Sequence, residues 1–162
     1  MPPLRFELLL LKMNSPKPKL VAQYQTLVII WAALLFSQVL FVVMLVVTKP
    51  NLFRFDFSQG PLEPSAPMIL GFAVAALTCV AFSFAFKRRL YERAVEAQDP
   101  AQAQSGLIIA LALCEAASLF GLVLAFAFDY SYFFFWFALG IVGMLFHFPK
   151  QNDLLAAGYK QK

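Results

Sequence analysis

The stretch LIIALALCEAASLFGLVLAFAF, residues 107–128, decides the fold. Glu115 is its only charged residue, and no Pro interrupts it. As a helix rising about 1.5 Å per residue it reaches about 33 Å. The hydrocarbon core of a bilayer is about 30 Å thick. Backbone N–H and C=O groups cannot be left unpaired in lipid, so a segment of this kind is helical. Three more apolar segments share its character, at about residues 27–47, 68–86 and 132–148. The expected fold class is therefore all-α, an integral membrane four-helix bundle with four transmembrane helices. Residues 1–23 would form an N-terminal tail and 24–162 a single transmembrane domain, with a hairpin tip at 87–104 and a short C-terminal tail at 149–162.

Composition agrees. Of 162 residues, 61% are hydrophobic and 14% charged, and there are 19 Phe. Soluble domains are about half apolar and about a quarter charged. With a mean hydropathy of +0.73, a water-soluble enzyme, a disordered tail and a disulfide-stapled module are all excluded. Cys79 and Cys114 lie inside apolar segments, at spacings that build neither a disulfide framework nor a zinc site.

The thirteen Lys and Arg give a net charge of +4 but form no single patch. Arg5, Lys12, Lys17 and Lys19 precede the first segment. Lys87, Arg88, Arg89 and Arg93 follow the second, and Lys150, Lys160 and Lys162 follow the fourth. Only Lys49 and Arg54 lie in the first connection, and none in the third. Basic residues collect on the cytoplasmic side of short loops. Both termini are thus expected in the cytoplasm, with the chain a multi-pass protein of a bacterial inner membrane. Nucleic-acid binding is not expected, because the basic residues are spent on orientation. Leu8–Leu11 is too short for the apolar region of a signal peptide. The residues before Met13 read either as an amphipathic tail on the membrane surface or as sequence upstream of a start at Met13.

Lys87–Gln98 is rich in helix formers, so the second helix should run about three turns past its apolar stretch. Asp99 and Pro100 then read as N-cap and first position of the third helix, with Gln102 at the capping-box position. The tip so formed is either a solvated extension or a docking site. In the first connection, Pro50, Pro61 and Pro64 rule out a long helix. There Phe53, Phe55 and Phe57 alternate with Arg54 and Asp56, which puts the rings on one side, against lipid or a neighbouring protein.

Helices in lipid associate through small residues and polar contacts. Gly71, Ala75, Cys79 and Ser83 recur every fourth residue of the second segment. The third offers Ala110, Cys114, Ala117, Gly121 and Ala125. Both sets read as packing seams. Glu115 needs a partner, since a lone charge at that depth costs several kcal/mol. Ser118, one turn on, and Gln38 of the first segment are the expected partners. Two readings stay open: a proton- or ion-carrying carboxylate, or a carboxyl hydrogen-bonded between helices.

Residues 112–125, ALCEAASLFGLVLA, resemble the carboxylate-bearing helix of the proteolipid, or c, subunits of rotary ATPases. In that family a Glu or Asp precedes an aromatic-Gly-Leu-Val-type run. The resemblance implies that Glu115 would be the ion-carrying carboxylate. Residues 93–100, RAVEAQDP, resemble the polar loop of those hairpins.

An ungapped alignment of Val28 with Leu107 matches Ile29, Ile30, Ala33, Leu34, Leu40, Phe41 and Leu45 identically, a hint of two parallel hairpin repeats. Tyr130, Tyr132, Phe133, Phe134, Phe135, Trp136 and Phe137 gather at the start of the fourth segment. Such rings anchor at a membrane interface or contact lipid, quinone or pigment. No cofactor is required by the sequence. His147, the only histidine, is the candidate ligand for a haem or chlorophyll, or else an interfacial hydrogen-bonder.

No metal cluster, phosphate-binding glycine loop or nucleophile–base set is present in the sequence, so no catalytic residue is expected. The leading expectation is a non-catalytic accessory subunit that packs against other membrane subunits and stabilises a larger energy-transducing complex, respiratory or photosynthetic. The alternative is a proteolipid-like proton- or ion-translocating protein using Glu115, Ser118 and Gln38. A small-substrate transporter ranks third, for want of an inverted repeat or broken helices.

Overall fold

A computed structural model describes residues 18–53, 60 and 66–158, and these are helical with no strand among them. The helices are α1 (Pro18–Thr48), α2 (Ala66–Ala97), α3 (Pro100–Phe128), α4 (Phe134–Phe146) and α5 (Gln151–Gly158), with a 3-10 turn at Pro50–Phe53. Three of them, α1, α2 and α3, are long and apolar enough to cross a membrane. The tail before Pro18, the Arg54–Phe57 part of the alternating stretch and the last four residues lie outside the described residues.

α3 is the central helix. Its buried residues include Leu107, Ala110, Leu111, Cys114, Ala117, Ser118, Gly121, Leu124 and Ala125, which at about 100° per residue form one broad face spanning about 140° of the helix. α2 and α3 form one long antiparallel hairpin. The small residues of α3 let neighbouring backbones approach closely. A Cβ added at Gly121 would stand 2.6 Å from Trp136 Cβ and 2.9 Å from the Phe133 carbonyl.

The face that α2 turns inward is Ile69, Ala76 and Ser83, seven residues apart, followed by Ala94. Of the four-residue stripe, only Ser83 belongs to this seam. Gly71 is exposed with no atom within 4 Å of an added Cβ, and Ala75 and Cys79 are only half-buried. A repeat of seven keeps a straight contact between helices that wrap left-handedly. α1 follows the same rule, with Leu27, Gln38 and Leu45 buried and Trp31, Leu34 and Phe41 half-buried along one stripe. Its other faces stay apolar and exposed, including Phe36, Val39, Leu40, Val43 and Val47.

The α2–α3 tip closes with Gln98 in the left-handed region, at φ 53°. Gln98 N–H donates to the Val95 carbonyl at 3.3 Å and Asp99 N–H to the Ala94 carbonyl at 2.9 Å. This is the reciprocal pair that ends a helix on a left-handed residue. Asp99 then caps α3, its carboxylate accepting from Ala101 N–H at 3.0 Å. Because Asp99 N–H is already bound to Ala94, it is not free to receive the Gln102 side chain in a capping box. α2 thus continues through Ala97, well past its apolar stretch.

The fourth segment differs most from expectation. Helix α4 has 13 residues rather than the 17 of Tyr132–Phe148. At about 1.5 Å per residue that is about 20 Å, short of a hydrocarbon core of about 30 Å. Two local causes shorten it. Asp129 takes a left-handed conformation at φ 50° after α3, and residues 131–133 turn before α4 begins. Pro149 lacks the N–H needed to continue the helix at the other end. The ring cluster is also more core than surface. Tyr130, Phe133, Trp136 and Phe137 are buried, while Phe135 is exposed.

Residues 149–158 are no simple tail. α5 folds back across the basic end of the bundle, burying Leu154 and Ala157. A Cβ added at Gly158 would be 3.2 Å from Leu20 and 3.3 Å from Pro100, so α5 touches the starts of both α1 and α3. At the opposite end Lys49 closes α3. Its ammonium group lies 2.5 Å from Asp129 Oδ1 and 2.7 Å from the Phe126 carbonyl, a cation at a helix C-terminus.

Candidate functional site

Two apolar clusters fill the bundle. One gathers Leu45, Ile69, Leu124, Phe133 and Trp136, and the other Leu27, Leu107, Leu111, Met144 and Leu154. Along α1 and α3 the polar residues fall at the junction between the two clusters.

Glu115 lies on the face of α3 that meets α1 and is half-buried. Its partner is Ser37, whose hydroxyl donates to Oε1 at 2.8 Å. Ser37 Oγ also lies 2.7 Å from the Leu34 carbonyl of its own helix. One hydroxyl hydrogen thus faces two acceptors. A protonated carboxyl would satisfy both contacts by donating to Oγ, while a carboxylate must share the single hydrogen. Sequence reasoning chose Gln38 because its depth fits, but one residue along a helix is a turn of about 100°, and that angle selects Ser37.

Gln38 is fully buried, and neither its Oε1 nor its Nε2 has a hydrogen-bond partner among the described residues. An unpaired buried polar group costs about 1–3 kcal/mol. Ser118 is also fully buried and unpartnered. It faces α4 rather than Glu115, since a Cβ added at Gly140 would lie on its Oγ. Gly140 is what lets α4 fit there. The three predicted site residues thus occupy one level of the bundle and point to different neighbours.

A second polar group joins α2, α3 and the end of α4. His147 caps α4 and is 1% exposed, with Nε2 2.8 Å from Ser83 Oγ. Its ring packs on Phe84 at 4.4 Å between centroids. Ser83 Oγ donates to the Val80 carbonyl at 2.6 Å, and Cys114 Sγ donates to the same Oγ at 3.5 Å. One assignment satisfies all three contacts: Ser83 gives its hydrogen to Val80 and accepts from both His147 Nε2–H and Cys114. In that assignment the imidazole does not take the serine proton, so Ser83 is not an activated nucleophile. Ligation of a metal through Nε2 would require breaking the Ser83 bond.

Trp31 adds a third link, its Nε1–H donating to the Met144 carbonyl at 2.9 Å. That carbonyl lies in the last turn of α4 and also accepts from the His147 backbone N–H at 3.1 Å, so the indole is its second donor. The signal for this bond was the lone tryptophan on the α1 stripe. No three His, Cys, Asp or Glu side chains among the described residues are placed to hold a metal ion.

At the basic end, Lys87, Tyr91, Lys150 and Asp153 line a cleft together with Leu27 and Leu107. Burial pushes the Lys87 ammonium below the usual lysine range, Asp153 opposes that shift and Lys150 adds to it. Comparison with known protein families, characterised proteins and solved structures finds no match.

Proposed function

We propose that the chain is a non-catalytic integral membrane subunit that packs against and stabilises a larger bacterial membrane complex, of the energy-transducing kind, respiratory or photosynthetic. The observation that carries this reading is how the reactive side chains are used. Glu115 is held by Ser37, and His147 and Cys114 both meet Ser83, so each ties one helix to the next. Outside, α1 and α2 offer Phe36, Val39, Val43, Val74 and Phe82 to the surroundings. In this reading both termini are cytoplasmic, the basic end faces the cytoplasm, and the outward apolar faces meet lipid and neighbouring subunits. Purification of a tagged chain from native membranes in mild detergent tests it. Other integral membrane proteins are expected in fixed ratio. Recovery of the chain alone, as monomer or homo-oligomer, refutes it.

Gln38 favours a second reading, that Glu115 carries a proton or monovalent ion across the membrane. Its enclosed, unbonded amide follows Ser37 directly in sequence and supplies polar atoms beside the carboxyl-bearing interface. Carbodiimide labelling of Glu115 that protons or sodium suppress supports it. Unchanged proton flux in Glu115→Gln refutes it.

A further inference from the structure

The cleft at the basic end has a chemistry that neither reading uses. It lies between α1, α2, α3 and α5, where the apolar part of α2 stops at Phe86 and Lys87 begins the charged part. Its rim carries two ammonium groups, Lys87 and Lys150, one carboxylate, Asp153, and the phenol of Tyr91. None of the three charged groups has a salt bridge within 4.0 Å among the described residues. Lys87 is half-buried all the same, which is costly for a cation lacking a close counter-charge. Its apolar lining is Leu27, Leu107 and Leu154, each buried in the core of the bundle.

We infer that this cleft binds the phosphodiester headgroup of an anionic phospholipid, with the acyl chains running down the outside of the bundle. Two lysines against one aspartate leave one net positive charge, matching a phosphodiester. Inorganic phosphate, a mixture of monoanion and dianion near neutral pH, matches that single charge only in part and brings no acyl chains. A choline headgroup would bring a second cation toward Lys150. Tyr91 supplies a neutral donor to a non-bridging oxygen. Basic pockets between helices at a membrane surface recognise lipid headgroups in this way. The inference rests on the bilayer setting of the apolar helices and is independent of which partner or ion the protein serves.

The test uses the purified full chain in a non-ionic detergent, with native mass spectrometry and thermal unfolding as readouts. The probes are dioleoylphosphatidylglycerol, dioleoylphosphatidylcholine and inorganic phosphate. Phosphatidylglycerol is expected to be retained as a discrete adduct and to raise the unfolding midpoint, and the other two are not. Lys87→Gln and Lys150→Gln should each weaken retention about five-fold, the worth of one lysine near an anionic surface. Lys87→Arg should keep it, and Arg89→Gln, an exposed charge outside the cleft, should leave it unchanged. Without lipid, Lys87→Gln should unfold no earlier than the parent, which separates a lost ligand from a damaged fold. Equal retention of the two lipids overturns the inference, as does an equal loss in Arg89→Gln. Retention of inorganic phosphate that competes with phosphatidylglycerol reassigns the cleft to a free anion and overturns it too.

Discussion

Replacing Gly140 by Ala should drive α4 away from α3. A Cβ at residue 140 would fall on Ser118 Oγ and 2.7 Å from the Cys114 carbonyl oxygen. Carbon–oxygen contacts in packed helices sit at about 3.3–3.6 Å, so the carbonyl contact is too short by about 0.6–0.9 Å. Ser118 can rotate its hydroxyl aside, but its Cβ remains at 3.3 Å and the carbonyl belongs to the central helix. Overpacking of this kind costs about 1–3 kcal/mol. Ala gains about 0.5–1 kcal/mol over Gly as a helix former, so the net loss is about 0–2.5 kcal/mol, centred near 1 kcal/mol. The central value corresponds to a midpoint lower by about 2–4 °C for a chain of this length. Gly71 is the internal control, since nothing lies within 4 Å of its added Cβ. Gly71→Ala should therefore leave stability unchanged or raise it. Cys114 supplies the assay, being fully buried beside Gly143. In a Cys79→Ala background, a thiol-reactive dye reads its exposure on heating. Ser118→Ala should recover only part of the loss, because the carbonyl contact stays. An unchanged midpoint in Gly140→Ala, or an equal drop in Gly71→Ala, refutes the packing argument.

Other perturbations test separate links. Ser83→Ala removes the acceptor shared by His147 and Cys114 and should cost about 1–3 kcal/mol. A double-mutant cycle with His147→Phe should show a coupling of the same sign, because Phe keeps the contact with Phe84. Trp31→Phe deletes the bond to the Met144 carbonyl while keeping a ring against Phe148, and urea unfolding in micelles should show a loss of about 0.6–1.7 kcal/mol. Asp99→Ala uncaps α3 at the hairpin tip and should cost about 1 kcal/mol, measured as faster amide exchange in residues 101–104.

Hydropathy alone read α1, α2 and α3, because a long apolar run has only one way to satisfy its backbone in lipid. It misjudged α4 for the same reason. Tyr132 and Phe133 are as apolar in a turn as in a helix, and only the left-handed Asp129 marks the break. The signal for α5 was present but faint. Leu154 and Ala157, three apart after Pro149 and before Gly158, are the stripe and stop of one short amphipathic helix. The α2 seam was misplaced because a stripe of small residues records where close approach is allowed, whereas the partner's surface decides where it occurs. Glu115 was found because a carboxyl in an apolar run is rare. Its serine was not, because serine in a helix usually bonds its own backbone, and Ser37 does that as well.

The way α5 rests on Leu20 and Pro100 sets an order for biogenesis. Helices made earlier in translation, α1 and α3, receive a latch from α5, which is made after them. Until Gln151–Gly158 emerges, α1 is held beside the hairpin without its clasp, and Leu27 and Leu107 lack their cover. A translocon or insertase that shelters the nascent bundle until release is the helper such a layout calls for. Premature stop codons within α5 should hand the truncated chain to membrane proteases although α1, α2 and α3 are already in place.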